Sequence, residues 1–274
     1  MPVPAISPSR AQDFQQCPLL YRFRVVDKLA EPPSAAAAKG TLVHKVLERL
    51  YDLPAGERTP TMALTLLPDA ETAVAAKTPA LPTLFATETE RRAWRDEAAQ
   101  LVRAYFALED PTRLAPEARE LFIQTDLGGL TLRGFVDRLD VAPGTGALRV
   151  VDYKTGKAPR PQYQGKALFQ LKCYALALWR DRGLVPAMLQ LVYLGSRELV
   201  RHEPSAAELE ATEAKVVALW AAIERTARSG SWPASPGPLC PWCAHQALCP
   251  AFGGTAPELP ADALERLGLA NSPD

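Results

Sequence analysis

The chain has 274 residues, of which 47% are hydrophobic, and its 31 basic residues balance its 31 acidic residues. A chain of this length can bury a substantial core, so we expect one elaborated domain over residues 1–274. The balanced charge excludes the strongly basic composition that marks many nucleic-acid-binding proteins. A surface for an anionic partner would have to come from local patterning.

The N-terminus and the cysteines bear on the cellular compartment. MPVPAISPSRAQDF has no basic region followed by an apolar stretch and a cleavage site, and no apolar run approaches the ~20 residues that span a bilayer. Five cysteines is an odd number, and three of them fall in one short segment, which matches a secreted disulfide framework poorly. We therefore predict a soluble, cytoplasmic protein with reduced thiols and no membrane contact.

Helical patterns dominate the first part of the chain. Ser9 can cap a short helix, the Cys17-Pro18 pair interrupts it, and a second helical piece follows. EPPSAAAAKG has the composition of a linker, and Gly40 then opens a helix whose apolar residues recur at helical spacing. Residues 53–115 contain scattered helical patches, and we interpret them as a helical insertion.

From residue 120 the pattern changes to β-branched residues and alternation. Turns at Gly128-Gly129 and Pro143-Gly144 divide this region into three predicted antiparallel strands. An amphipathic helix, two further strand patterns and a long helix follow, and they lead into a Cys-rich segment at 240–249. Residues 255–274 are rich in Pro, Ala and Asp, which predicts a loosely held tail. The predicted fold class is α/β, with a mixed central β-sheet flanked by helices.

Two strand ends carry acidic residues and a lysine. GFVDRLD and LRVVDYKTG place Asp137 near the end of one strand, and Asp152 with Lys154 at the end of its neighbour, where all three converge. Carboxylates favour a hard cation such as Mg²⁺, and an ammonium can stabilise the charge that develops in phosphodiester hydrolysis. Taken alone, these residues favour ordinary ion pairs, one between Asp137 and Arg138 or another cation and one between Asp152 and Lys154. His44, on an apolar helix, is by itself more often a packed residue than a ligand.

The cysteines suggest a metal centre of one of two kinds. Three thiolates fall in one short loop as C-x2-C-x5-C, at Cys240, Cys243 and Cys249, and Cys17 is the candidate for a fourth. Such a set fits a 4Fe-4S cluster, and it fits a tetrahedral Zn²⁺ ion equally well, with His245 as another possible ligand. The spacing does not separate the two. Cys173 lies among apolar residues of a predicted helix and is interpreted as a small buried hydrophobe.

Four motifs in order resemble the PD-(D/E)xK nuclease superfamily in its RecB-like branch, which includes AddB-type and CRISPR-associated single-strand nucleases. They are SPSRAQDFQQCPLLYRF, KGTLVHKVLERLY, GFVDRLD with VVDYKTG, and Q-x3-Y from Gln170 to Tyr174. The resemblance implies a restriction-endonuclease-like core in which His44, Asp137 and Asp152 bind one or two Mg²⁺ or Mn²⁺ ions, helped by the Tyr153 carbonyl. It also implies that Lys154 positions the nucleophilic water and that Gln170 and Tyr174 lie beside the active site. At the cysteines it implies a 4Fe-4S cluster held by Cys17, Cys240, Cys243 and Cys249.

The resemblance further implies a metal-dependent DNA nuclease, an exonuclease or flap-type enzyme that acts on single-stranded ends in repair or recombination. One alternative is a weakly catalytic or non-catalytic single-stranded-DNA-binding subunit of a helicase-nuclease or CRISPR-adaptation complex. Another is a zinc-stabilised interaction protein. The sequence has no G-x4-GK[ST] motif, so a helicase partner would be a separate protein.

A local basic stretch follows the second acidic motif and is the candidate track for a DNA backbone. No acidic residue lies between Asp152 and Asp181, and the cations in or beside this interval are Lys154, Lys157, Arg160, Lys166, Lys172 and Arg180. Near Cys17 we expect additional stacking and backbone contacts from Arg10, Tyr21, Arg22 and Arg24. A solvated charged face is the alternative for any one of these residues.

Overall fold

The computed structural model describes residues 3–269, and within them a six-stranded mixed sheet lies at the centre. Its strands are β1 (Ala5–Ile6), β2 (Pro116–Asp126), β3 (Thr131–Val141), β4 (Leu148–Lys154), β5 (Met188–Tyr193) and β6 (Glu198–His202). The three strands from β2 to β4 are antiparallel neighbours, as the alternation predicts. β5 lies parallel to β4, β6 lies antiparallel to β5, and β1 adds two residues parallel to β3.

Helices cover both faces of this sheet. They are α1 (Pro8–Gln16), α2 (Pro18–Tyr21), α3 (Ala35–Leu50), α4 (Pro60–Thr65), α5 (Leu67–Lys77), α6 (Glu88–Tyr105), α7 (Gln164–Ala167), α8 (Phe169–Arg182), α9 (Ala206–Ser229) and α10 (Ala263–Arg266). α2 runs on into one turn of π-helix, so the predicted break at Cys17 and the second helical piece are both present. Within residues 3–269, no helix combines the length and apolar composition that a membrane crossing requires.

The sheet separates two apolar layers. On one face, α1, α8 and α9 pack on side chains such as Val136 and Val150. On the other face, α3 and α6 pack on Val151 and Tyr153, so the helices between residues 53 and 115 share a core with α3. Successive residues of β4 point to opposite faces, and the strand is buried on both. The fold is therefore the predicted one, a mixed α/β sheet flanked by helices.

Two helices begin earlier than predicted. Ser7, rather than Ser9, caps α1, because its hydroxyl accepts a hydrogen bond from the Arg10 amide at 3.3 Å. α3 begins at Ala35, inside the predicted linker, and Ser34 is its cap. The alanine run is helical because alanine is the strongest helix former and the Ser34 hydroxyl satisfies one of the free amides of the first turn.

The end of the described chain is also better packed than predicted. Leu267 and Leu269 are 4% and 2% exposed, and they belong to the apolar layer that contains α9. Arg266 donates a hydrogen bond to the Val26 carbonyl at 2.8 Å, which ties this segment to the π-helical turn. The loosely held tail predicted for residues 255–274 therefore does not hold as far as residue 269, because the spaced leucines outweigh the proline-rich composition. Residues 270–274 lie outside the described residues.

β3 and β4 separate where the predicted acidic residues lie. Their pairing ends at Arg138 and Val151. Beyond this point β4 continues beside β5, and β3 continues beside β2. Asp137 and Asp152 are thus the first residues past the branch point, and we call this opening the strand fork. Backbone groups that leave a ladder need other partners, so a fork brings side chains and backbone together.

Candidate active site

Three groups meet at the strand fork: the Asp137 carboxylate, the Tyr153 backbone and the His44 imidazole. The Tyr153 amide donates a hydrogen bond to Asp137 Oδ2 at 2.7 Å. α3 places His44 over the fork, with Nε2 2.9 Å from the Tyr153 carbonyl oxygen and Nδ1 3.4 Å from Asp137 Oδ2. Because a carbonyl oxygen only accepts, Nε2 carries a hydrogen, and Nδ1 faces the carboxylate. The fold therefore brings these three predicted residues together.

A carboxylate that the sequence analysis missed joins this group. Glu120 lies on β2 between Arg119 and Leu121, which pair with Arg138 and Val136, so the hairpin places it opposite Asp137. One ligand atom from each of His44, Glu120 and Asp137 lies within 4.8 Å of the other two. The φ of Glu120 is 46°, a left-handed conformation that is uncommon outside glycine and recurs at functional sites. The sequence contained a clue to the position of Glu120, namely the predicted turn at Gly128-Gly129. Counting back from this turn along the two strands pairs Glu120 with Asp137.

Negative charge is concentrated at the strand fork. Burial, and then the charge of Asp137, raise the pKa of Asp152 to about 6. The same two causes raise the pKa of Glu120 above its ordinary value. Burial by itself would lower the pKa of His44, but its hydrogen bond to Asp137 and the surrounding carboxylates raise it. Carboxylates held this close repel one another, so a cation among them is stabilised.

Lys154 is held by two neighbours. Its Nζ lies 2.7 Å from Asp152 Oδ2 and donates a hydrogen bond to Gln170 Oε1 at 3.1 Å. Gln170 Nε2 donates in turn to the Tyr174 hydroxyl at 2.8 Å. Gln170 and Tyr174 lie one turn apart on α8, so the helix pair and the strand pair form one chain of contacts. The ammonium group therefore has a defined position beside the fork.

Tyr174 reaches β3 through a gap left by Gly134. A Cβ at this glycine would lie 2.4 Å from Tyr174 Cε1, so a larger residue does not fit unless the ring moves. The glycine of GFVDRLD thus admits the tyrosine ring against the strand, where Gln170 reaches its hydroxyl. Burial raises the pKa of Tyr174 to about 12, so this hydroxyl stays protonated near neutral pH.

Arg138 lies fully buried behind the strand fork and does not pair with Asp137. All three of its guanidinium nitrogens are engaged elsewhere, by the carboxylates of Glu109 and Asp140 and by three tyrosine hydroxyls, those of Tyr51, Tyr105 and Tyr153. The alternative in which Arg138 neutralises Asp137 is therefore excluded. Tyr153 bonds Arg138 through its hydroxyl and Asp137 through its amide, so this buried cluster holds β4 in place at the site.

The donor set at the fork fits Mg²⁺ or Mn²⁺. Carboxylate oxygens, a carbonyl oxygen and an imidazole nitrogen are ligands that these ions accept. Asp152 is 2% exposed, and the cation nearest to it is Lys154, whose Nζ lies 2.7 Å from Oδ2. Burial and the charge of Asp137 still raise the pKa of this carboxyl despite Lys154, so a further cation would stabilise its charged form. The residues that would hold the ion are His44, Glu120, Asp137, Asp152 and, through its carbonyl, Tyr153.

The four predicted cysteine ligands line one cavity. Cys17, at the start of α2, faces the turns that carry Cys240, Cys243 and Cys249, across a space of about 230 Å³. The backbone amides of Ser235 and Gly237 donate to the sulfurs of Cys17 and Cys240, at 3.4 and 3.2 Å. Cys173 lies apart from this cavity and is fully buried, as predicted, and burial raises the pKa of its thiol to about 12.

The sulfurs of Cys17, Cys240, Cys243 and Cys249 are spread around this cavity. Zn²⁺ bonds thiolates at roughly 2.3 Å, which places tetrahedral sulfurs about 3.8 Å apart. Among residues 3–269, no three cysteine sulfurs lie within 4.8 Å of one another, whereas three ligand atoms at the strand fork do. His245, the alternative zinc ligand, has its Nε2 3.1 Å from Glu31 and its ring against Phe23. Four thiolates are a ligand set that both a 4Fe-4S cluster and a Zn²⁺ ion accept.

Part of the predicted basic track is committed to ion pairs. Lys172 lies 2.5 Å from Glu208, and Arg180 pairs with Glu213, both on α9. Lys172 and Arg180 are therefore not available to bind a DNA backbone, because acidic residues of α9 neutralise them. Exposed cations remain in and just after the loop that follows β4, at Lys157, Arg160 and Lys166.

Tyr21 and the N-terminal arginines contact other residues of the fold, and the predicted stacking of Tyr21 on DNA is wrong. Tyr21 is only 1% exposed, so its ring is closed to a nucleobase. The arginines are drawn into local networks that the sequence pattern does not reveal. The partners are Trp232 for Tyr21, Asp27 and the Pro257 carbonyl for Arg22, Asp13 and Glu31 for Arg24, and Asp13 for Arg10.

A family model of the PD-(D/E)XK nuclease superfamily matches residues 5–250, and the chain belongs to this superfamily. It is similar to the Gene 69 protein of Mycobacterium phage D29, with 28% identity over 207 residues that cover 66% of this chain and 71% of the relative. The Gene 69 protein of Mycobacterium phage L5 is 25% identical over 291 residues, covering 91% and 97%. The crystal structure of a candidate exonuclease from Eubacterium rectale shares the fold, with a TM-score of 0.58 and 12% identity over 88% of this chain and 87% of that one. A nuclease fold implies a nucleic acid substrate.

Proposed function

We propose that this chain is a Mg²⁺- or Mn²⁺-dependent deoxyribonuclease of the RecB-like branch, an exonuclease that degrades single-stranded DNA ends in repair or recombination. The observation that carries the proposal is the strand fork, where His44, Glu120 and Asp137 place ligand atoms within 4.8 Å of one another and the Lys154–Asp152 pair follows on the next strand. These residues arrive from one helix and three strands, so no single periodicity accounts for their meeting.

The residues of the fork have separate roles in this proposal. The carboxylates, His44 and the Tyr153 carbonyl hold the metal ion. A bound divalent ion lowers the pKa of water and offsets charge on the scissile phosphate. Lys154, restrained by Asp152 and Gln170, keeps its ammonium next to the phosphate, where it stabilises developing negative charge and orients the attacking water. Gln170 and Tyr174 are positioning residues, since Gln170 holds the lysine and Tyr174 holds Gln170.

Single-stranded DNA is proposed as the substrate because the cations left beside the site form a short track on a chain of zero net charge. Lys157, Arg160 and Lys166 lie next to Lys154 in sequence and are exposed. Tyr163 lies among them and is 54% exposed, which suits contact with an unpaired base. A separate helicase would supply single strands from duplex DNA.

We also propose that the cysteine cavity holds a 4Fe-4S cluster with a structural role. Cys17 is near the start of the chain and its three partners follow α9, so the cluster closes a loop through most of the fold. Such a closure restricts the unfolded chain and adds ligation energy. Anaerobically purified protein should contain iron and acid-labile sulfide, and Cys17→Ser should lose both and melt at a lower temperature. Stoichiometric zinc without iron would contradict the cluster.

The decisive experiment measures degradation of end-labelled single-stranded and duplex DNA by anaerobically purified protein in Mg²⁺, Mn²⁺ or EDTA. We expect cleavage with either metal, none in EDTA, and none by Asp152→Ala or Lys154→Ala. Matched controls are Lys77→Ala and Asp96→Ala, an exposed lysine and an exposed acid of the helical layer, and both should cut like the wild type. The labelled end reports the polarity of digestion.

Two results would contradict the proposal. If folded, cluster-loaded wild type binds single-stranded DNA but never cuts it, the chain is a binding subunit of a helicase-nuclease or CRISPR-adaptation complex. If Asp152→Ala cuts at the wild-type rate, the strand fork is not the active site.

A further inference from the structure

An aromatic pair lies exposed on the sheet next to the strand fork. Phe122 on β2 and Phe135 on β3 are directly paired, with ring centroids 5.2 Å apart, yet they are 47% and 54% exposed. Their strand neighbours Ile123 and Val136 are buried in the layer of α8. Because side chains alternate along a strand, both phenylalanine rings point to the opposite face of the sheet, the face that α3 covers farther along. The fold leaves these rings uncovered.

The aromatic pair is continuous with the candidate active site. Phe122 is two residues from Glu120, and Phe135 is two residues from Asp137, on the same pair of strands. Two residues of a strand span roughly 6.6 Å, so the backbone positions of the phenylalanines and the acids are close neighbours. Beyond the rings, the next exposed pair along these strands is Gln124 and Arg133. The order along this face is therefore carboxylates, aromatic rings, and then an amide with a guanidinium.

Resting on the proposed nuclease function, we propose that Phe122 and Phe135 form a stacking platform for the nucleobases of a single DNA strand whose scissile phosphate lies at the fork. The acids with their metal would engage the phosphate, the rings would engage the flat base faces, and Arg133 is placed for a neighbouring phosphate. Bases inside a duplex already stack on each other, so the platform selects single strands and frayed ends. Every base has a π-face, so the selection is independent of sequence.

A protein partner fits this patch less well. A stable protein interface buries about 800 Å² on each side, with an apolar centre. The exposed patch consists of two rings bounded on one side by carboxylates and on the other by Gln124 and Arg133, which is too small and too polar at its edges for such an interface. A strand of nucleotides needs only one or two ring faces next to a phosphate site.

The test is equilibrium binding in EDTA, so that cleavage does not enter the measurement. The probes are a labelled oligothymidylate and an abasic oligomer of equal length, which has the same backbone without bases. Phe122→Ala and Phe135→Ala should each weaken oligothymidylate binding by about 5- to 150-fold and leave binding of the abasic oligomer unchanged. Phe135→Trp keeps a stacking surface and should bind like the wild type. Val217→Ala, which alters an exposed apolar residue of α9, is the matched control.

The outcomes separate the platform from the nuclease activity. Unchanged oligothymidylate binding in both alanine variants, or equal losses on the two probes, overturns the platform and leaves the nuclease proposal standing. A base-dependent loss in a protein that never cuts DNA supports the platform and removes the enzymatic function. A wild type that binds neither probe overturns the platform. Because both rings are exposed, the melting temperatures of the alanine variants should match the wild type, which distinguishes a binding defect from unfolding.

Discussion

Removing the buried guanidinium behind the strand fork tests how the fold supports the site. Arg138 is completely buried and pairs with Glu109 and Asp140. Arg138→Met keeps most of the volume and removes the charge, which leaves two carboxylates buried. Breaking a buried ion pair from one side costs about 3–5 kcal/mol of unfolding free energy. Arg149 lies 2.8 Å from Asp140 and relieves part of this cost, so we expect the lower end, about 3 kcal/mol.

Urea unfolding followed by tryptophan fluorescence measures this change in free energy. In domains of roughly 150–250 residues, 1 kcal/mol shifts the melting temperature by roughly 2–4 °C, so Arg138→Met should melt roughly 6–12 °C lower. Arg149→Met is the matched control, because its side chain is 25% exposed, and it should cost under about 1 kcal/mol. Adding Glu109→Gln and Asp140→Asn to Arg138→Met should restore much of the loss, since no buried charge is then unpaired.

The loss of unfolding free energy in Arg138→Met should depend on pH in a defined direction. In the wild type, burial acts to raise the pKa of Glu109, but Arg138 outweighs it and holds that pKa below its ordinary value. This carboxylate therefore stabilises the fold above about pH 4, and the contribution is lost as the pH falls. Without Arg138, burial dominates, the folded state takes up a proton more readily than the unfolded chain, and stability falls as the pH rises. The deficit should thus be larger at about pH 8 than at about pH 5. A loss below about 1 kcal/mol, or an equal deficit at both pH values, would refute this reasoning.

Three further predictions concern the strand fork itself. Glu120→Gln should weaken Mn²⁺ binding by at least roughly tenfold in titration calorimetry, because an amide replaces a charged ligand. The control Asp96→Asn should leave the affinity for Mn²⁺ unchanged. An unchanged affinity in Glu120→Gln would show that Glu120 is not part of the site. The pKa of Asp152 is about 6 in the folded protein, above the value of an unfolded chain. The folded state therefore holds this proton more tightly, and in EDTA the melting temperature should fall as the pH rises from about 4 to 6. That fall should be absent from Asp152→Asn and from Mn²⁺-saturated wild type, and identical profiles of wild type and Asp152→Asn in EDTA would contradict it. Gly134→Ala places a Cβ 2.4 Å from the Tyr174 ring and should lower the free energy of unfolding in urea by about 1–3 kcal/mol. The double variant Gly134→Ala/Tyr174→Leu should regain most of this loss. Gly165→Ala, where a Cβ meets nothing within 4 Å, is the control, and additive losses in the double variant would show that the glycine and the ring do not interact.

The local elements and the order of the motifs follow from the amino-acid sequence alone. Alternation identified β3 and β4, and it placed Asp152 and Lys154 at the end of β4. It was wrong for Asp137, which lies inside β3 (Thr131–Val141) rather than near the end of that strand, because β3 continues beside β4 after the fork. Helical spacing put Gln170 and Tyr174 one turn apart. The other inferences hold because the periods of strands and helices follow from backbone geometry within a few residues. The motif order also indicated the nuclease superfamily, which the match over residues 5–250 confirms.

Which charged residues meet one another depends on the tertiary fold. Glu120 gains its place from the hairpin register and its positive φ, whereas Lys172 and Arg180 are taken from the basic track by acids of α9. Arg138, which the sequence left as a possible partner of Asp137, is occupied by Glu109 from the end of the helical segment and by Asp140. The periodic sequence pattern predicts structure only within a single helical turn or a single strand. The strength of a charge pair depends instead on distance and burial, and these are defined only when residues distant in sequence pack together.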